Sequence, residues 1–428
     1  MPASQQLSRL FGRRRFNIKP GLERIIALLE QYEHPERSFA AIHIVGTNGK
    51  GSTAAFLAAI LEQAGYDTGL FTSPHLVSYT ERFRINGADI SSEQLGKLIQ
   101  ELLDQATPDA TFFELTTALA CRWFAHNKIQ LAILEAGMGG RSDATAAVPG
   151  IATIITPIAL DHCQWLGTDL QTIAAEKVGI ATPGTPIISA MQAPEVLEVL
   201  EEYCQTNGNR LMLAGRDFTV RHDDAEGSLT YQGSTGTTQG LFPSLAGSYQ
   251  TGNAALALAA AEQLSSLGFP VSTQALQHGL KSARWPGRME LIRLSDGIEL
   301  LLDGAHNPAG ARALADALEA YATRRKILLL GMMEDKDLHG VLDTLLQQVQ
   351  QVITVSPSQE RAISAASLAD SCRTAGTPAT AADSVAAGLE AAQAAARPGD
   401  LIIAAGSLFL VGELKALLAG IPCEAVRG

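Results

Sequence analysis

The sequence predicts two α/β domains: first a doubly wound, mostly parallel sheet with a small antiparallel excursion, then a second α/β unit. Two observations carry this. From residue 21 to about 190, short apolar runs alternate with amphipathic stretches, as expected of strands joined by crossover helices. A second alternation of the same kind starts near Glu290. The length of 428 residues, at about 100–200 residues per domain, points to two or three domains.

Taken in order, the predicted strands of the first unit are AIHIV from Ala41, TGLF from Thr68, LAILE from Leu131, IATIIT from Ile151 and PIIS from Pro186. Between them, 52–64, 92–105, 113–127 and 170–180 read as helices. Residues 207–245, rich in Gly, Thr and Ser, read as the antiparallel excursion, and GNAALALAAAEQL from Gly252 as a helix. The motif WPGRME, where Pro and Gly interrupt both patterns, sets the predicted boundary between domains 1–288 and 289–428. Strands follow at IELLLD from Ile298, KILLLG from Lys326, VITV from Val352 and DLIIAAG from Asp400, and the Ala-rich stretch 362–396 reads as helical.

Composition excludes several functions. Hydrophobic residues make up 46% and charged residues 18%, a globular balance. With 32 basic against 44 acidic side chains the net charge is −12, so no broad basic field is available for nucleic acid or anionic lipid. Five widely spaced cysteines, at 121, 163, 204, 372 and 423, without a Cys-x-x-Cys pair, fit neither a disulfide framework nor a zinc site and read as reduced thiols. Arg13, Arg14 and Arg15 are followed by no apolar run, and no charge-poor stretch approaches about 18 residues. The expectation is a cytoplasmic protein without membrane or nucleic-acid partners.

The sharpest local signal is HIVGTNGKGST, residues 43–53, where a strand ends in a glycine loop bearing a lysine and then opens a helix. Backbone N–H groups of Thr47, Asn48, Gly49, Gly51, Ser52 and Thr53 can surround phosphate oxygens while Lys50 neutralises them, which makes this a P-loop-type sheet. The spacing departs from G-x-x-x-x-G-K-[ST], since Ile44 stands at the first glycine and Gly51 follows the lysine. In a doubly wound sheet ligands sit beyond the strands' carboxyl ends, so TSPHL and LEAGMGGRSDAT bring Ser73 and Glu135 to the rim of Lys50. Ser73 reads equally as a turn hydroxyl, whereas a buried acid such as Glu135 needs a partner or a metal.

The fourth strand is followed by Asp161, His162 and, on the next helix, Lys177. His162 reads either as a hydrogen-bonded core residue or, with Ser73 and Glu135, as part of a magnesium site; Lys177 reads locally as a solvated lysine beside Glu176. In the second half, LLDGAHNPAG offers Asp303, His306 and Asn307 as polar contacts or as a simple turn, and AAGSLFLVGE ends another strand.

Together HIVGTNGKGST, TSPHLVSYTERF, FFELTT, LEAGMGGRSDAT, LDHCQWLGTDLQTIAAEKVGI, WPGRME, DGAHNPAG and GSLFLVGE, with NIKPGLERI near the N-terminus, resemble the folylpolyglutamate and dihydrofolate synthases, within the wider Mur ligase group. The resemblance implies an ATP-binding N-terminal domain, a Rossmann-like C-terminal domain and catalysis in the cleft between them. It implies an ATP-dependent ligase joining L-glutamate to a folate or dihydropteroate carboxylate through an acyl phosphate, with one or both folate activities, or the same chemistry on another acid. Gly49, Lys50 and Ser52 would hold ATP phosphates; Ser73, Glu135 and His162 would ligate magnesium; Lys177, as a carbamate, would hold a second one. A monovalent cation is a further candidate cofactor. Asn253 and Arg288 resemble ATP contacts, Asp303 and His306 cleft residues, and Ser407 a contact to glutamate. Asp143, Ala144 and Thr145 stand where the family reads DATN, with Ala146 replacing the amide, which bears on the pterin. Tyr249 stands where the family has a histidine, which bears on the nucleotide base. The family implies a monomer acting on small molecules. A nucleotide switch is disfavoured because no N-K-x-D signal is present, and a dinucleotide oxidoreductase because neither half carries a convincing G-x-G-x-x-G.

Overall fold

The computed structural model describes residues 3–13, 21–107, 109–223 and 227–424; Arg14, Arg15 and the first four residues of NIKPGLERI lie outside the described residues. The first sheet has eight strands: β1 (Ala40–Val45), β2 (Thr68–Phe71), β3 (Phe83–Ile85), β4 (Ala88–Asp89), β5 (Leu131–Glu135), β6 (Gly150–Ile155), β7 (Ile187–Ser189) and β8 (Leu211–Leu213). Their order is β4-β3-β2-β5-β1-β6-β7-β8. From β2 to β8 every pairing is parallel. The central strands LAILE and AIHIV are apolar almost throughout because both faces are covered, which is what a parallel sheet requires.

Helices Lys50–Gln63, Gln250–Ser266 and Thr273–Ser282 pack on one face; Ser92–Gln105 and Phe112–His126 cover the other. The alanine runs of the first two let helices approach closely. A Cβ at Gly279 would lie 2.5 Å from Ile60 Cα, so that crossing tolerates no side chain there. β9 (Thr219–Asp223), β10 (Ser228–Gln232) and β11 (Thr237–Leu241) form the expected antiparallel excursion. β8, within the stretch read as part of it, joins the main sheet instead.

The third sheet contains β12 (Glu290–Arg293), β13 (Glu299–Leu302), β14 (Lys326–Leu330), β15 (Gln351–Thr354), β16 (Ala379–Ala381) and β17 (Leu401–Ala405), in the order β12-β13-β17-β14-β15-β16. It is parallel apart from β12, a half-buried edge strand. The Ala-rich stretch is not one helix: Ala365–Thr374 and Val385–Ala395 flank β16, because the turn at Gly376 and Pro378 breaks the pattern. No described helix is long and apolar enough to cross a membrane.

Candidate active site

The loop between β1 and helix Lys50–Gln63 depends on two glycines. Gly46 has φ +143°, and a Cβ there would meet Thr156 Oγ1 at 2.0 Å; Gly49, at φ +92°, would meet Asn253 Oδ1 at 2.4 Å. Thr47 anchors the loop by donating its N–H to Pro157 O at 3.0 Å and its hydroxyl to Ala159 O at 3.0 Å. Lys50 Nζ donates to Thr47 O at 3.1 Å and Gly46 O at 3.3 Å, folding the cation over its own loop. Gly51 explains the unusual spacing: a Cβ at this position would lie 2.6 Å from the Trp285 indole, so the tryptophan before the second domain docks on the loop only if that residue is glycine. Arg84 stacks over Trp285 at 5.4 Å. Asn253 is tied in through Gln250, whose amide donates to Ser52 Oγ at 3.2 Å.

Ser73, just past β2, and Glu135, the last residue of β5, meet on this rim: Ser73 N donates to Glu135 Oε2 at 3.2 Å. Burial pushes the Glu135 carboxyl up, opposed by Lys50. His162 follows β6 with φ +51°; burial first, then Lys336, lowers its imidazole to about 4, leaving it neutral at pH 7. Lys177 is buried rather than solvated, and its Nζ donates to Gly46 O at 2.9 Å. Burial, followed by Lys50, lowers its ammonium to about 7. Glu176 turns elsewhere and accepts from Ser142 N at 2.9 Å.

From the second domain, Asp303 accepts from Tyr249 Oη at 2.9 Å, Met289 N at 3.0 Å and Ala305 N at 2.9 Å. Only the Ala305 bond is local to the DGAHN turn; the other two tie that turn to Met289 and, across the domains, to Tyr249. His306 Nδ1 lies 2.8 Å from Gly304 O, and a Cβ at Gly304 would collide with Arg288 Nη1. Asn307 and Ser407 cap helices Pro308–Ala317 and Leu408–Ala419, Ser407 Oγ accepting from Phe409 N at 3.0 Å.

Most of these groups share the wall of one cleft of about 1010 Å³, which takes Thr47 to Ser52, Ser73, Glu135, Asp143, Ala144, His162, Lys177 and Asn253 from the first domain and Arg288, Asp303, His306 and Ser407 beyond them, while Asn307 is buried behind it. Two expected residues stand behind that wall. Thr53 is fully buried in its helix, and Thr145 is buried with its hydroxyl donated to Asp143 Oδ1 at 2.6 Å, so both support the lining instead of forming it. The sequence reading missed Lys336, Asp335 and Arg361 on the wall, and the apolar lining residues Leu22, Ile25, Phe112, Phe113, Trp165 and Leu166. A polar MEDKD turn after KILLLG was the available signal for Lys336. Tyr249 faces the Asp303 carboxylate across the domains, and burial together with that charge pushes its phenol up.

Residues 44–261 match the Mur ligase middle domain and 287–408 the Mur ligase glutamate ligase domain, so fold and cleft define a Mur ligase. The dihydrofolate synthase/folylpolyglutamate synthase of Bacillus subtilis is 35% identical over 360 residues, 78% of this chain and 81% of that protein. The Mycobacterium tuberculosis folylpolyglutamate synthase complexed with ADP superposes with a TM-score of 0.89 at 32% identity, covering 98% of this chain and 99% of that one. An FPGS–AMPPCP–folate complex gives 0.87 at 28% identity, covering 98% and 100%. The chain belongs to the dihydrofolate synthase/folylpolyglutamate synthase family of acid–amino-acid ligases.

Proposed function

We propose that this chain uses ATP to join the amine of L-glutamate to the carboxylate of a folate or of dihydropteroate. The observation that carries the reading is a single cleft whose wall takes Lys50, Ser73 and Glu135 from one domain and His306 and Ser407 from the other. The ADP and folate complexes of similar proteins, and the double name of the Bacillus subtilis relative, support it.

A carboxylate is a poor electrophile, so the acceptor must first take the γ-phosphoryl group of ATP as an acyl phosphate. Lys50 would leave its loop carbonyls to meet the phosphates, with the N-terminus of helix Lys50–Gln63 supplying further donors. Glu135 and the Ser73 hydroxyl are hard oxygen donors of the kind magnesium takes, and the neutral His162 imidazole could add one nitrogen donor. The set holds only two His, Cys, Asp or Glu side chains, so phosphate oxygens and water would complete it. Bound there, magnesium would offset charge on the transferring phosphoryl group. Lys177 would contribute only as a carbamate, and an ammonium lowered to about 7 is half neutral near pH 7, as addition to carbon dioxide requires.

The planar rings of the acceptor suit the apolar wall supplied by Phe112 and Phe113, which share a core cluster with Ala144. The incoming glutamate would reach the acyl carbon from the side of His306, with a carboxylate near the Ser407 cap, where backbone N–H groups favour an anion. Attack by the amine breaks the acyl–phosphate bond and releases phosphate. Acceptor labelled with oxygen-18 in its carboxylate tests the route: label in the released phosphate supports an acyl phosphate, and unlabelled phosphate refutes it.

A further inference from the structure

The carboxylate of Asp161 belongs to the first domain, yet three of its partners come from the second. Lys336 Nζ donates to Oδ1 at 2.6 Å; Asn307 Nδ2 donates to Oδ2 at 3.1 Å; His306 Nε2 lies 3.4 Å from the same oxygen. The fourth donor is local, His162 N at 2.8 Å. Both side chains of the Asp161–Lys336 pair are 9% exposed. Asn307 extends the connection: its amide exchanges two 3.1 Å hydrogen bonds with the amide of Asn48 in the glycine loop, while its Oδ1 accepts from Gly310 N at 2.8 Å.

From this geometry we infer that Asp161 is a positioning residue which assembles the glutamate end of the cleft by tying His306 and Lys336 to the nucleotide loop. The inference rests on the ligase reading above. A buried carboxylate and a buried ammonium are each costly alone, so the network forms as a unit when the domains meet and is lost as a unit when one partner is removed. Asn307 is the joint, since one amide caps its own helix, holds Asn48 and meets Asp161. The orientation of His306 and Lys336 is thereby made to depend on the phosphate loop, although neither belongs to its domain.

The test uses Asp161→Asn and Lys336→Met, singly and together, in the full chain. Two readouts are taken: glutamate-dependent phosphate release, and ADP affinity by calorimetry. Each single variant is expected to lower kcat about 30-fold or more and to raise KM for glutamate, with the ADP Kd within about threefold of wild type; the double variant should be no worse than the weaker single, as for groups acting through each other. Lys336→Arg, which keeps the charge, should recover at least about a third of the rate that Lys336→Met loses. Unchanged kcat in either single variant, multiplying defects in the double, or ADP affinity falling in step with turnover would each overturn the inference. Amide exchange gives an answer independent of turnover. In Asp161→Asn, protection at Thr47 and Asn48 and at Gly310 and Ala311 should fall together, about fivefold or more, and loss confined to 161–162 would overturn the coupling. If wild type itself shows no glutamate-dependent release, the ligase reading fails while the exchange result still decides the coupling.

Discussion

Lys177 costs the fold stability, and the cost has a defined pH dependence. Burial, followed by Lys50, lowers its ammonium to about 7 in the folded chain from the 10.5 of an ordinary lysine. At about 1.4 kcal/mol per pH unit, this gap of about three and a half units is a penalty of about 5 kcal/mol. Between pH 7 and 10.5 the unfolded chain binds a proton at this site that the folded chain does not, so stability rises with pH. The penalty is therefore fully present below pH 7, shrinks as pH climbs, and vanishes above 10.5. Lys177→Met keeps the volume and removes the titration, at the loss of one hydrogen bond to Gly46 O, which Lys50 also contacts. Wild type should gain about 2 kcal/mol on the variant between pH 7.5 and 9.0. Urea midpoints of both proteins at both pH values, in buffer freed of carbon dioxide, measure this directly. A stability gap that does not move with pH would refute the account of Lys177 as a buried, mostly neutral amine.

The other predictions are briefer. Lys50→Ala should abolish turnover, and a variant keeping more than about a tenth of the rate would remove Lys50 from the phosphate site. Glu135→Ala should raise the magnesium concentration needed for half-maximal activity sharply; an unchanged titration would take it out of the ligand set. Lys177→Ala should be partly rescued by a small added carboxylate, and absence of rescue would leave the carbamate without support. Gly412→Ala places a Cβ 2.1 Å from Leu76 O, so helix Leu408–Ala419 must move off the first domain, and the urea midpoint should fall by the equivalent of about 1–3 kcal/mol; an unshifted midpoint would show that the contact gives way freely.

What the sequence made legible follows from which interactions are local. The buried strands β1, β5, β14 and β17 are short apolar runs between turns, and their ends carry polar residues, so Lys50, Ser73, Glu135, His162 and His306 could be read as rim residues from their position at or just past a strand end, whereas Ser407 was singled out only by the family resemblance. Strands of two or three residues such as β4 and β16 carry no periodicity to detect, and β16 was hidden in helical composition. Contacts between distant segments leave no spacing signal: Asp161 with Lys336 is 175 residues apart in sequence, and Asn48 with Asn307 is 259. The same holds for Tyr249, whose hydroxyl finds Asp303 only once the third sheet is in place. Gly51 was legible as a departure from the usual loop, but its reason, the Trp285 indole, was not.

The central claim is that the cleft makes an amide between glutamate and a folate-type acid. Phosphate release from ATP with magnesium and L-glutamate, run with dihydropteroate, with tetrahydrofolate and with neither, tests it most directly. The account predicts release above the blank with at least one of the two acceptors, and with both if the chain carries both activities. Release no greater than the blank with either acceptor would contradict it.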